Sequence, residues 1–174
     1  MRAEFSRIVN IVQIGEGERV VEIAAAPEER AALARRFDLL AVARLEARFA
    51  VRRAAAGISA RGRVTAEVVQ ACSITGEPVP AAVDEEADLL FTPDTQAGGD
   101  ELELSADALD VIPYQGDRID LGEAAAETMA LALDPFPRSP GAADALKAAG
   151  VLSEEEAKPL GKLASLRDKL EGRS

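Results

Sequence analysis

The clearest period-two pattern lies in the middle of the chain. From Arg44 to Arg52 the even positions are Arg44, Glu46, Arg48, Ala50 and Arg52, and the odd ones are Leu45, Ala47, Phe49 and Val51. Side chains alternate across a strand, so this spacing predicts a half-buried strand. After Ala56-Gly57 the alternation resumes. Ile58, Ala60, Gly62, Val64, Ala66 and Val68 fall on one face, and Ser59, Arg61, Arg63, Thr65 and Glu67 on the other, which predicts a long hairpin. A further strand over 81–92 would turn Val83, Ala87, Leu89 and Phe91 inward and Asp84, Glu86 and Asp88 outward. Earlier, a weak alternation from Phe5 to Ile11 reads as a first strand, with Gly15 and Gly17 marking the turn into a second over 19–25.

Helix signals flank this sheet. Pro27 followed by Glu28 and Glu29 marks a helix start running to about Phe37, because proline loses no hydrogen bond in a first turn and carboxylates favour the positive end of the dipole. A second, alanine-rich helix is predicted from Gly122 to Leu133, stopped by Pro135, Pro137 and Pro140. A short helix over 142–149 and an amphipathic tail beyond Ser153 complete the reading. Gln115-Gly116-Asp117, between apolar runs at 111–114 and 118–121, predicts a hairpin or turn. Residues 93–107, rich in Pro, Gly and acids, predict a mobile acidic surface loop. The expected fold is α+β. An antiparallel, curved or barrel-like sheet carries two main packed helices, in one domain over 1–140 with a peripheral helical tail over 141–174.

Composition changes this picture by exclusion. The 174 residues include no His, no Trp and one Cys. Triads and Cys/His pairs are therefore out of reach, as are imidazole metal sites, internal disulfides and thiolate zinc clusters. No apolar run is long enough to cross a bilayer and no apolar signal core opens the chain, so a cytoplasmic protein with no membrane partner is expected. With six aromatic residues, the core must be built mainly from aliphatic side chains.

Charge is split. The net charge of -11 combines a first segment, 1–71, at +3 with a segment from Asp84 to Asp134 that holds 15 carboxylates against Arg118 alone. Two candidate surfaces follow. Arg44, Arg48, Arg52, Arg61 and Arg63 share one face of the predicted hairpin and could meet the phosphates of a nucleic acid. Asp84, Glu86, Asp88, Asp117, Asp120 and Glu123 could meet a basic protein. A blander assignment pairs the arginines with the neighbouring acidic strand, and the residues favour it. Asp117 and Asp120 could also serve a metal-dependent hydrolase, but no spacing matches a calcium loop and no glycine loop suits phosphate. Cys72 reads as a small buried residue at a strand end, and Glu77 as a turn residue. No catalytic residue, cofactor, metal site or small-molecule substrate is expected.

Three ordered blocks carry a resemblance. They are the run from Gly62 through Cys72, Glu77 and Pro78 to Val79, the run Gly116-Asp117-Arg118-Ile119-Asp120-Leu121-Gly122-Glu123, and Leu131-Ala132-Leu133-Asp134-Pro135-Phe136-Pro137. Together they resemble the YceD family, the large ribosomal RNA subunit accumulation proteins. Phe5-Ser6-Arg7 and the run from Ala34 to Leu40 look like its alphaproteobacterial branch. The resemblance implies a bacterial, non-enzymatic factor in ribosome assembly, with large-subunit ribosomal RNA or a basic ribosomal protein as partner. Relatives are often encoded beside a small zinc-ribbon protein of the large subunit. A general protein–protein adaptor is the alternative. Many relatives carry a second Cys where Thr75 stands and some a cysteine cluster near the carboxyl terminus, so the resemblance implies no metal site in this chain. Gly76 stands where the family commonly has leucine.

Overall fold

A computed structural model describes residues 3–15, 17–94 and 110–151. The alternating segments form the strands the spacing predicts, extended at both ends: β3 spans Ala41–Ala54, β4 Gly57–Ala71 and β5 Pro78–Pro93. Before them lie β1 (Ile8–Asn10), a 3₁₀ turn (Ile11–Gln13), β2 (Arg19–Ala24) and helix α1 (Pro27–Arg36). After them come β6 (Asp110–Tyr114), β7 (Arg118–Asp120), α2 (Leu121–Ala132) and α3 (Ala142–Ala148). The start of α1 is set as its sequence predicts: Glu29 Oε2 accepts the Ala26 N–H at 2.7 Å, closing the first turn.

The fold is α+β, with one five-stranded sheet in the order β2-β3-β4-β5-β6 and a separate two-stranded sheet of β1 and β7. Two expectations are corrected. The sheet is not barrel-like, because β2 and β6 stand at opposite edges and do not pair. It is also mixed and not purely antiparallel, since β6 runs parallel to β5. The physical reason lies in two short strands that pair away from their sequence neighbours. β1 forms no hairpin with β2; it pairs with β7, with Val9 opposite Ile119. The turn at Gly116 likewise separates strands of two different sheets, so its flanks do not form a hairpin. Most of the acidic loop expected at 93–107 and the tail beyond Val151 lie outside the described residues.

The inner face of the large sheet is apolar as the alternation requires. Leu45, Phe49, Val51, Ile58, Ala60, Val64, Leu89 and Phe91 are all buried in one cluster with Leu33 of α1 and Leu121, Ala125 and Met129 of α2. The small residues Ala124, Ala125 and Ala126 let α2 lie close on β4 and β5. Burial of aliphatic surface, at about 25 cal/mol per Å², thus supplies the stability that a chain poor in aromatics must find elsewhere. No helix among the described residues is long and apolar enough to cross a membrane.

Candidate functional site

The arginine face exists, and strand register decides its electrostatics. Cross-strand pairing sets Glu22 opposite Arg48, Arg48 opposite Arg63, and Arg63 opposite Glu86 in one row; in the next, Arg61 faces Asp88. Two guanidiniums side by side repel, and each is offset by a carboxylate on its other flank. Arg48 pairs with Glu22 at 3.3 Å, Arg61 with Asp88 at 3.0 Å, and Arg44 with Glu67 at 3.1 Å. Arg63 hydrogen-bonds Asp84, which raises the arginine above its ordinary pKa. Arg52, opposite Ser59, has no ion pair among the described residues. The outward positions therefore hold five arginines (44, 48, 52, 61 and 63) against six carboxylates (22, 46, 67, 84, 86 and 88). This face is close to neutral. Exposed pairs of this kind contribute little to stability, because water screens them, so the row is an ion-laced surface more than a scaffold. The strands leave an open trough of about 740 Å³ here, floored by Val20, Ala24 and Ala50 and edged by Glu22, Arg48 and Arg61.

The second acidic group does not join the first. Asp120 is the N-cap of α2: its Oδ1 accepts the N–H groups of Arg7 (2.8 Å), Gly122 (3.0 Å) and Glu123 (3.2 Å), and its Oδ2 accepts the Ser6 hydroxyl at 2.6 Å. Glu123 is bound by Arg36. Asp117 lies against Arg118 at 3.6 Å and Asn10 at 3.4 Å. Asp117 and Asp120 are thus engaged between β1, β7 and α2, and Glu123 ties α2 to the end of α1. Among the described residues no three carboxylate or thiol side chains come together as a metal site. The spacing analysis, which begins this helix at Gly122, missed the cap role of Asp120; the signal that could have found it is Glu123 three residues on. The partnership with Ser6, across 114 positions, carried no local signal.

A third cluster surrounds Cys72, which is 4 % exposed. The β4–β5 turn returns on itself, with Gly76 N–H donating to Cys72 O and Cys72 N–H to Glu77 O. Cys72 Sγ accepts the backbone N–H of Ser139 at 3.2 Å and of Thr75 at 3.4 Å. Ser139 Oγ donates to Glu77 Oε2 at 2.6 Å, and Thr75 Oγ1 donates to the same oxygen at 3.0 Å. Both hydroxyls hold Glu77 below the usual carboxylate range. Pro78 opens β5, Leu121 is fully buried at the start of α2, and Gly62 sits where the backbone of β3 at Arg48 and Phe49 leaves no room for a Cβ. The motif residues thus do structural work at three separate junctions. Sequence reasoning missed Ser139 and Thr75.

Burial is the largest influence on the Cys72 thiol and pushes its pKa up, but the hydrogen bonds from Ser139 and Thr75 together outweigh it and bring it down to about 6. A folded value below that of the free thiol means that the stabilisation is complete above the unfolded pKa of about 8.5 and is lost as pH falls through about 6. Thiolate absorbance is expected to titrate with a midpoint near 6 in the folded protein. A midpoint at the free-thiol value would show that the sulfur accepts no such bonds.

The fold is thus an open mixed sheet with a charge-balanced outer face, backed by two helices, whose motif residues are spent on turns, a cap and a close approach of strands. Residues 60–168 match the family described as Large ribosomal RNA subunit accumulation protein YceD, and the chain belongs to that family. None of the curated proteins and none of the solved structures matches it.

Proposed function

We propose that this protein is a non-enzymatic, cytoplasmic ribosome assembly factor that supports the accumulation or processing of large-subunit ribosomal RNA, and that its direct partner is a basic ribosomal protein. The observation that carries the reading is the family match over more than half of the chain. The choice of a protein over RNA as the contacting partner is supported by charge. A phosphate backbone meeting the arginine row would also meet six carboxylates, on a chain of net charge -11. The arginines of that face would oppose a cationic protein as its carboxylates oppose RNA, so it is the net charge of the whole chain that favours the cationic partner. In this reading residues 1–140 are the working domain and the remainder is peripheral.

Co-purification tests it. The tagged protein recovered from cells is expected to bring large-subunit precursors with it, and recovery of none would overturn the reading. The combined change Arg44→Ala, Arg48→Ala and Arg61→Ala is expected to leave that recovery little changed, because these guanidiniums are already paired. A loss on the order of tenfold or more, steepening with salt, would place RNA phosphate on this face instead.

A further inference from the structure

Phe136 is 70 % exposed, in a chain whose other described aromatic side chains are buried or half-buried. Its segment is firmly held. Phe136 N–H donates to Asp134 Oδ1 at 2.8 Å, Asp134 O accepts Gln70 Nε2 at 2.8 Å, and Pro137 O accepts Ser73 N–H at 2.8 Å and Ser73 Oγ at 3.1 Å. Ser139 then ties down the far end through Cys72 and Glu77. Pro135 and Pro137 fix the backbone on either side. An aromatic ring presented to water on so constrained a loop has little ordering entropy left to lose when it is covered, which is the property of an interface anchor.

It does not stand alone. The Ser73–Pro137 hydrogen bond brings the β4–β5 turn against this loop, so Ile74, 39 % exposed, lies one residue from one partner of that bond and Phe136 one residue from the other. Leu131, 84 % exposed, lies in the last turn of the helix that leads into the loop. Among the described residues, Asp134 is bonded to the Phe136 N–H, Arg138 follows two residues on, Glu77 is bonded to Ser139 at the end of the same loop, and Glu127 is exposed on the helix that leads into it. Glu127 is one helical turn from Leu131. These four charges are three carboxylates to one guanidinium, on a chain of net charge -11, which favours a cationic occupant.

We propose that Phe136, with Leu131 and Ile74 beside it, anchors a docking patch for a basic polypeptide that buries the ring and meets the carboxylates of Glu77, Glu127 and Asp134. This rests on the assembly-factor reading above and names the surface that reading lacks. The test uses the immobilised full chain with two separate probes: purified total protein of the large ribosomal subunit, free of RNA, and naked large-subunit ribosomal RNA. The wild type is expected to retain a basic large-subunit protein, Phe136→Ser to retain it at least tenfold less with an unchanged unfolding midpoint, and Phe136→Tyr to restore retention. Undiminished retention by Phe136→Ser overturns the proposal. So does retention of the RNA alone, self-association abolished by that substitution, or cross-links in the free chain from position 136 to residues 152–174. If precursors co-purify from cells equally with the wild type and Phe136→Ser, this inference fails alone. If they fail to co-purify with the wild type, the functional reading itself fails.

Discussion

Gly62→Ala is expected to cost roughly 3 kcal/mol or more, at the upper end of what overpacking does, and so to lower the melting temperature by about 6 to 12 °C for a domain of this size. Gly62 lies opposite Phe49 in the β3–β4 ladder. A methyl group at position 62 would stand 2.0 Å from the carbonyl oxygen of Arg48 and 2.9 Å from the Phe49 Cα. Those atoms belong to the backbone of a long antiparallel pairing in the interior of the sheet, so they cannot swing aside as a side-chain tip would. The strands must separate or the ladder must shift, and a shift of one position would turn the whole apolar face to water. Equilibrium denaturant unfolding checks this through a lowered midpoint at constant slope. A cost below about 1 kcal/mol would show that β3 and β4 do not cross as closely as described.

Asp120→Ala should destabilise by about 2 to 4 kcal/mol, combining the loss of a helix cap with the loss of two further hydrogen bonds to a carboxylate. One side chain serves three elements. It caps α2 through Gly122 and Glu123, and it holds the residues before β1 through Ser6 and the Arg7 N–H. Close approach is built in at the same junction, since a Cβ on Gly122 would meet the Phe5 carbonyl oxygen at 2.7 Å. Asp120→Asn keeps the Oδ1 acceptor and should retain more than half of the stability that alanine removes. In a double-mutant cycle, Ser6→Ala should couple to Asp120→Ala, because the two groups are in direct contact. Additive effects would mean that the hydroxyl and the carboxylate act independently. An alanine variant as stable as the wild type would mean that the cap contributes nothing.

The two halves of this molecule were legible to different degrees. Residues 44–68 displayed their faces in sequence because alternation is a property of a single strand, and the buried set (Leu45, Phe49, Val64 and Val68 among it) is the set that the spacing predicts, except that Ser59, assigned to the outer face, is also buried and Gly62 is half-buried. The α1 start at Pro27 and the α2 start beside Asp120 were equally local. What alternation cannot convey is which charge stands across the ladder. That Arg48 would face Glu22, and Arg61 face Asp88, depends on register between strands, and it turned a row of candidate phosphate contacts into a nearly neutral surface. Similarly, Asp120 as a type of residue suited both a metal ligand and a cap. Only the Ser6 and Arg7 groups converging on it distinguished the two.

By itself, then, the order of amino acids determined the inward and outward faces of the long strands, where two helices begin, and which kinds of chemistry lack their side chains. Each of these follows from interactions within a few residues or from composition alone. Tertiary structure decided that β1 joins β7 across more than a hundred residues, that β6 runs parallel to β5 and leaves the sheet open, and that Ser139 closes over Cys72 and Glu77 with Phe136 held outward beside them. These pairings arise from competition among many weakly specified partners for the same sheet edges and hydrogen-bond donors. The winner is set by packing of the whole chain, which no local spacing encodes.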